Sequence, residues 1–209
     1  MHTCAKCAVW ACTKPEREPM PGNCPMRRAD RMEETFEEYR KPENERFFKV
    51  ASSIEALGYC RWPRLKETAE LCVRMNYKRI GMAFCIGLKR EAKVIDAVFR
   101  DYGLDVVSVV CKAGGIPKQR VGIPEEHMVR PGTHEVMCNP IAQAEFINDQ
   151  KTDFNVVVGL CVGHDSLFCK YSDAMTTTLI AKDRVLAHNP AGAVYCAEGY
   201  FKTRLAPSE

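Results

Sequence analysis

A chain of 209 residues has the length of one domain with room for a small appendage, enough to bury a core without cross-links. Apolar residues at 46% and charged residues at 27% exclude a disordered chain, and a formal charge of +3 over this length gives no expectation of nucleic acid or an anionic membrane as partner. No apolar run nears the roughly 18 residues of a membrane span, and the one abnormal count is cysteine, at twelve.

The start, Met1-His2-Thr3-Cys4, has no basic stretch followed by an apolar one, which leads us to expect a cytoplasmic protein. In a reducing compartment cysteines pack as small hydrophobes, bind metal or do redox chemistry. The first four, Cys4, Cys7, Cys12 and Cys24, lie in a polar, Pro-rich segment that cannot build its own core. Four thiolates closing on one ion or cluster would supply the missing folding energy, so residues 1–26 read as a metal knuckle. Zinc and iron–sulfur both accept four cysteines.

Residues 27–78 read as a helical linker region. A charged stretch over 27–41 suits a solvated helix or linker. Residues 43–57 place Phe47, Val50, Ala51, Ile54 and Leu57 at helical spacing, with Gly58 to end it. Residues 63–75 repeat the pattern with Pro63 at the start, and put Cys72 on the apolar face as a core residue.

From 79 to 209 strands alternate with helices. Apolar strands are predicted over 79–86, 104–111, 155–161 and 176–182. Helices are predicted over 88–102, from Asn139-Pro140, and from Asn189-Pro190. Near-continuous apolar strands separated by helices predict a Rossmann-like or flavodoxin-like α/β fold, a three-layer, mostly parallel sheet behind the small N-terminal knuckle. Strand order 2-1-3-4 is expected, because it sets Cys85 and Cys161 astride the switch point.

Cys85, Cys111 and Cys161 each close a predicted strand, and Cys138 precedes the Asn139-Pro140 helix. Carboxyl ends of parallel strands share one edge, and strands lie about 4.8 Å apart, so these sulfurs fall within the span of one centre. Any one of them alone reads equally well as packing. Cys60, Cys169 and Cys196 have no such placement and are taken as packing or spare thiols. Around the same edge, Gly163-His164-Asp165-Ser166 offers an imidazole and a carboxylate, and Lys112-Ala113-Gly114-Gly115 begins a Gly-rich basic loop suited to an anion. Residues 112–137 show no confident element, which marks a lid or binding loop; they carry His127 and His134. His188-Asn189-Pro190 echoes Cys138-Asn139-Pro140, making His188 a candidate outer ligand or proton donor.

These motifs, Ala83-Phe84-Cys85-Ile86-Gly87-Leu88, Val110-Cys111-Lys112, Cys138-Asn139-Pro140-Ile141, Gly159 to Phe168 and Lys182-Asp183-Arg184-Val185 with His188-Asn189-Pro190, together resemble a cysteine-rich family of unknown function from archaea and anaerobic bacteria. The resemblance runs over about residues 4–200, and it implies metal binding without an assigned reaction. It carries over to Cys85, Cys111, Cys138, Cys161, His164, Asp165 and His188, with Met175 standing where the family has a proline.

Three functions compete. The first is an iron–sulfur protein, with a small cluster in the knuckle and a second, of 4Fe–4S type, on Cys85, Cys111, Cys138 and Cys161. In it Lys112, His164, Asp165 and His188 serve catalysis, tuning or an anionic ligand, and the partner is a redox protein or a small anionic substrate. The second is a thiol enzyme with Cys85 as nucleophile, His164 and Asp165 as its base, and structural zinc in the knuckle. The third is a zinc-binding interaction module without chemistry.

Overall fold

The computed structural model describes residues 1–17 and 19–207. The chain forms two compact units, Met1–Ala56 and Leu57–Glu209. In the first, short 3-10 turns at Cys4–Lys6, Ala11–Thr13 and Pro25–Arg27 lead into helix α1 (Ala29–Tyr39) and then α2 (Pro42–Gly58), which runs across the boundary. Helix α1 has no buried residue, so the charged stretch is a solvated helix. Among the described residues of this unit only Ala11 and Ile54 are buried.

The second unit is an α/β fold with an all-parallel sheet. Helix α3 (Arg64–Arg74) precedes strand β1 (Arg79–Phe84); α4 (Lys89–Asp101), β2 (Asp105–Val110), α5 (Pro140–Asn148), β3 (Phe154–Val158), α6 (His164–Tyr171), β4 (Thr176–Ile180) and the short α7 (Ala191–Tyr195) follow. The sheet order is β2-β1-β3-β4, every pair parallel, as the sequence leads us to expect. In this order the β1–α4–β2 and β2–α5–β3 crossovers run in opposite directions. Right-handed crossovers then put α4 and α5 on opposite faces, giving the three layers of a Rossmann-like or flavodoxin-like fold.

The apolar runs explain the packing. All five residues of β3 are buried, as a strand covered on both faces requires. Ala92, Ile95 and Phe99 of α4, Ala144 and Ile147 of α5 and Phe168 of α6 close over the sheet. Cys72 is fully buried in α3, where its spacing predicts a core residue. At the carboxyl edge Gly159 follows β3 with φ of +62°, and a Cβ there would sit 2.7 Å from Leu88, so only glycine lets the chain turn at this point.

Each strand ends sooner than its apolar run suggests. The register pairs Phe84 with Val110 and with Val158, so Cys85 and Cys111 are the first residues past β1 and β2. Cys161 lies three residues past the end of β3. The thiols therefore stand on the turns above the sheet rather than within it.

Candidate metal centre at the carboxyl edge

Backbone hydrogen bonds stitch the edge together. The Cys85 amide donates to the Val158 carbonyl (3.1 Å), the Cys111 amide to that of Phe84 (2.9 Å), and the Asn139 amide to that of Cys111 (2.8 Å). Cys85, Cys111 and Cys138 are thereby fixed to neighbouring strand ends. Asn139 caps α5, its Oδ1 accepting from the Ala142 amide at 3.1 Å, with Pro140 pre-setting the first turn. Gln143, one turn further on and fully buried, donates from Nε2 to the carbonyls of Val109 (2.7 Å) and Phe84 (3.3 Å).

The four sheet-edge cysteines and His164 come together. Ligand atoms of Cys138, Cys161 and His164 all lie within 4.8 Å of one another, the one such group of three metal-capable side chains among the described residues. Cys111 shares hydrogen bonds with Cys138 on one side and Cys85 on the other. Its thiol is pushed up by these two neighbours and by burial, and stays protonated between them. Cys85 is pulled well below the usual thiol range by the Cys111 hydrogen bond, then by the Gly87 amide and Lys182. Cys138 is pulled down by Cys111, and further by Lys112 and His164. The Ile86 amide reaches the Cys111 sulfur at 3.4 Å.

Each of the other three thiols has one cation beside it. Lys112 Nζ donates to Cys138 Sγ at 3.6 Å and to the Val136 carbonyl at 2.5 Å. Arg184 Nη2 donates to Cys161 Sγ at 3.1 Å, which raises the guanidinium further above its ordinary range. A Cβ on Gly87 would lie 3.6 Å from Lys182 Nζ and 3.8 Å from Cys85 Sγ, which places those two groups together. Lys182 and Arg184 were not singled out as site residues by the sequence. The available signal was their position just past β4, on the edge that carries the cysteines.

The remaining predicted residues stand as follows. Asp165 lies in the first turn of α6 and accepts from the Ser166 amide at 2.8 Å; among the described residues no hydrogen bond joins it to His164. His188 sits in its own loop, in the left-handed region at φ of +64°, its Nδ1 accepting from the Asp183 amide at 3.1 Å. The echo with Cys138 does not extend to the helix start, because Pro190 rather than Asn189 caps α7 and no side chain bonds there. In the first unit Cys4, Cys7 and Cys24 line one hollow of about 180 Å³, and Cys12 does not line it. The amides of Trp10 and Val9 hold the Cys7 thiol below its ordinary value.

Residues 112–137 form no long element. An antiparallel bridge between Pro117 and Val136 and the Lys118–Glu135 ion pair close their base, and short turns at Lys118–Val121 and Glu125–His127 lie between. This loop walls a cleft of about 450 Å³ that Cys138, Cys161 and His164 also line.

The donor set fits a metal. His164 Nδ1 is buried without a hydrogen-bond partner among the described residues, an uncommon state for an imidazole nitrogen unless something else engages it. Two thiolates and an imidazole suit zinc or another borderline-soft ion. Tetrahedral bonds of 2.0–2.3 Å would set such donors roughly 3.5–3.8 Å apart, and these three all lie within 4.8 Å of one another.

Fold and site define a doubly wound α/β protein with a thiol–imidazole cluster at its switch point. The chain belongs to the family described as "Protein of unknown function (DUF1847)", whose model matches residues 24–179. It is also 49% identical over 166 residues to "Uncharacterized protein MJ0455" of Methanocaldococcus jannaschii, covering 79% of this chain and 84% of that protein. The matched family span is shorter than the 4–200 of the motif resemblance. It holds Cys85, Cys111, Cys138, Cys161 and His164 and begins at Cys24. No helix among the described residues is long and apolar enough to cross a membrane.

Proposed function

We propose that this is a metal-binding protein whose centre lies on Cys138, Cys161 and His164 and presents its ion to a small anionic ligand in the adjoining cleft. The observation that carries the reading is the convergence of those three ligand atoms within 4.8 Å, with the His164 nitrogen otherwise unpartnered. A bound ion of this kind would act as a Lewis acid toward the ligand. The chain's own residues do the rest. Gln143 and the strand-end amides hold the cysteines in place, Lys112 and Lys182 favour the thiolates of Cys138 and Cys85, and Arg184 donates to Cys161.

A second reading, an iron–sulfur cluster on Cys85, Cys111, Cys138 and Cys161, is favoured by the continuous contact of Cys85, Cys111 and Cys138, which offers more sulfur than one ion uses. The N-terminal unit offers a separate structural site, supported by the three cysteines around its hollow.

The test is anaerobic purification with an absorption spectrum and zinc, iron and sulfide analysis, beside Cys138→Ser and Cys161→Ser variants. The single-ion reading expects a colourless protein that loses about one metal equivalent in either variant. A brown protein losing iron and sulfide together would install the cluster instead. A protein whose metal content neither variant changes, and in which Cys85 alone is alkylated, would sink both and leave a thiol enzyme.

A further inference from the structure

The cleft beside the metal donors has a cationic floor and apolar walls. On the floor, Lys112 stands by Cys138 and Arg184 by Cys161, a cation beside each of the two donor sulfurs. Of the other charges in the lining, Lys118 and Glu135 pair with each other. With a divalent ion on the sulfurs beside them, Lys112 and Arg184 make the floor attractive to an anion.

The donors define the head group. Arg184 is exposed, and among the described residues its one hydrogen bond goes to Cys161, so most of its planar fork is available. Lys112 already spends donors on Val136 and Cys138. One fork and one partly used ammonium match the two oxygens and single charge of a carboxylate better than the three oxygens of a phosphate. The walls define the body: Val121, Ile123, Met137, Ile141 and Leu167 face the same space, and about 450 Å³ suits a small metabolite. A bare inorganic anion would leave those walls wet.

We propose that the cleft binds a small organic monocarboxylate with an apolar tail, the carboxylate held by Arg184 and Lys112 beside Cys138, Cys161 and His164, and the tail against Ile141 and Leu167. The proposal rests on the metal-centre reading above and names its ligand class.

Calorimetric titration of the zinc-loaded chain with acetate, butanoate, hexanoate, hexylamine and hexyl phosphate tests it. Affinity is expected to rise about two- to fourfold per methylene from acetate to hexanoate, with no binding of hexylamine. Arg184→Gln, compared at equal zinc occupancy fixed by metal analysis, should weaken hexanoate about tenfold or more. Ile141→Ser and Leu167→Ser change half-exposed positions that the fold tolerates, and should flatten the chain-length dependence while leaving acetate unchanged. Equal affinity for acetate and hexanoate, tighter binding of hexyl phosphate, or no carboxylate binding by a chain that holds its zinc would overturn the inference and leave the metal centre standing. A chain that takes up no zinc fails the earlier reading, and this one with it.

Discussion

Cysteine occurs here in three electrostatic settings, and the differences come from neighbours rather than from sequence type. Cys85 and Cys138 are held toward thiolate first by hydrogen bonding with Cys111 and then by the amides or cations beside them. Cys111, between those two, is held as the thiol. Cys72 is fully enclosed in α3, where burial, with some help from Asp153, pushes its thiol up to about 12. That last value makes stability depend on pH. The thiol ionises near 9 in the unfolded chain and not until about 12 in the folded one. Between those values the unfolded state has released a proton the folded state still holds, so stability is full below about pH 9 and falls as pH rises toward 12, by up to about 1.4 kcal/mol per unit. Urea unfolding at pH 8 and pH 10.5 should show wild type losing about 2 kcal/mol more than Cys72→Ala across that interval. Equal losses would mean that the Cys72 thiol ionises in the native state.

At the scale of elements, the site depends on how α5 begins. Asn139 accepts from the Ala142 amide and donates its own amide to Cys111, so one residue both caps the helix and ties it to the end of β2, with Cys138 immediately before it. Asn139→Ala should cost about 1 kcal/mol of stability, the usual worth of such a cap. It should also weaken metal binding, because Cys138 loses its fixed approach. Competition against a chromogenic chelator reads the second effect, and an unchanged metal affinity would show that Cys138 is placed by Lys112 alone.

The same elements show what a sequence can and cannot reveal. The strand order was legible because the apolar runs are long and their cysteine ends need a common edge. The α5 start was legible because Asn-Pro is a local signal. Strand ends were not, since Ile86 and Leu160 continue the apolar pattern after the ladder has stopped. Gln143 carries no signal of its own in the sequence, and only the tertiary packing shows it buried against two strand-end carbonyls. Residues 112–137 carry no periodicity, so their role as a cleft wall depends on the long-range bridge of Pro117 to Val136, which no local pattern encodes.

At the scale of the whole molecule, the two units are built on different physics. The unit Leu57–Glu209 has a buried sheet with helices closed over it, and the Cys138–Cys161–His164 cluster lies at its rim, so if metal binds there its removal subtracts binding energy from a fold that already holds. The unit Met1–Ala56 buries only Ala11 and Ile54 among its described residues, far too little to offset chain entropy. If Cys4, Cys7 and Cys24 bind an ion, that ion supplies most of what orders the segment, as in small metal-dependent domains. The sequence contains two tryptophans, one in each unit: Trp10, whose amide bonds Cys7, and Trp62. Trp62→Phe and Trp10→Phe therefore give two single-reporter proteins. With chelator present, the Trp10 reporter is expected to lose its cooperative urea transition. The Trp62 reporter should keep its own, with the stability lowered by an amount set by mass action, about 2.7 kcal/mol at a hundredfold excess of metal over Kd. A Trp10 transition that survives chelation unchanged would show that the N-terminal cysteines order their segment without metal, and would confine the metal chemistry to the sheet edge.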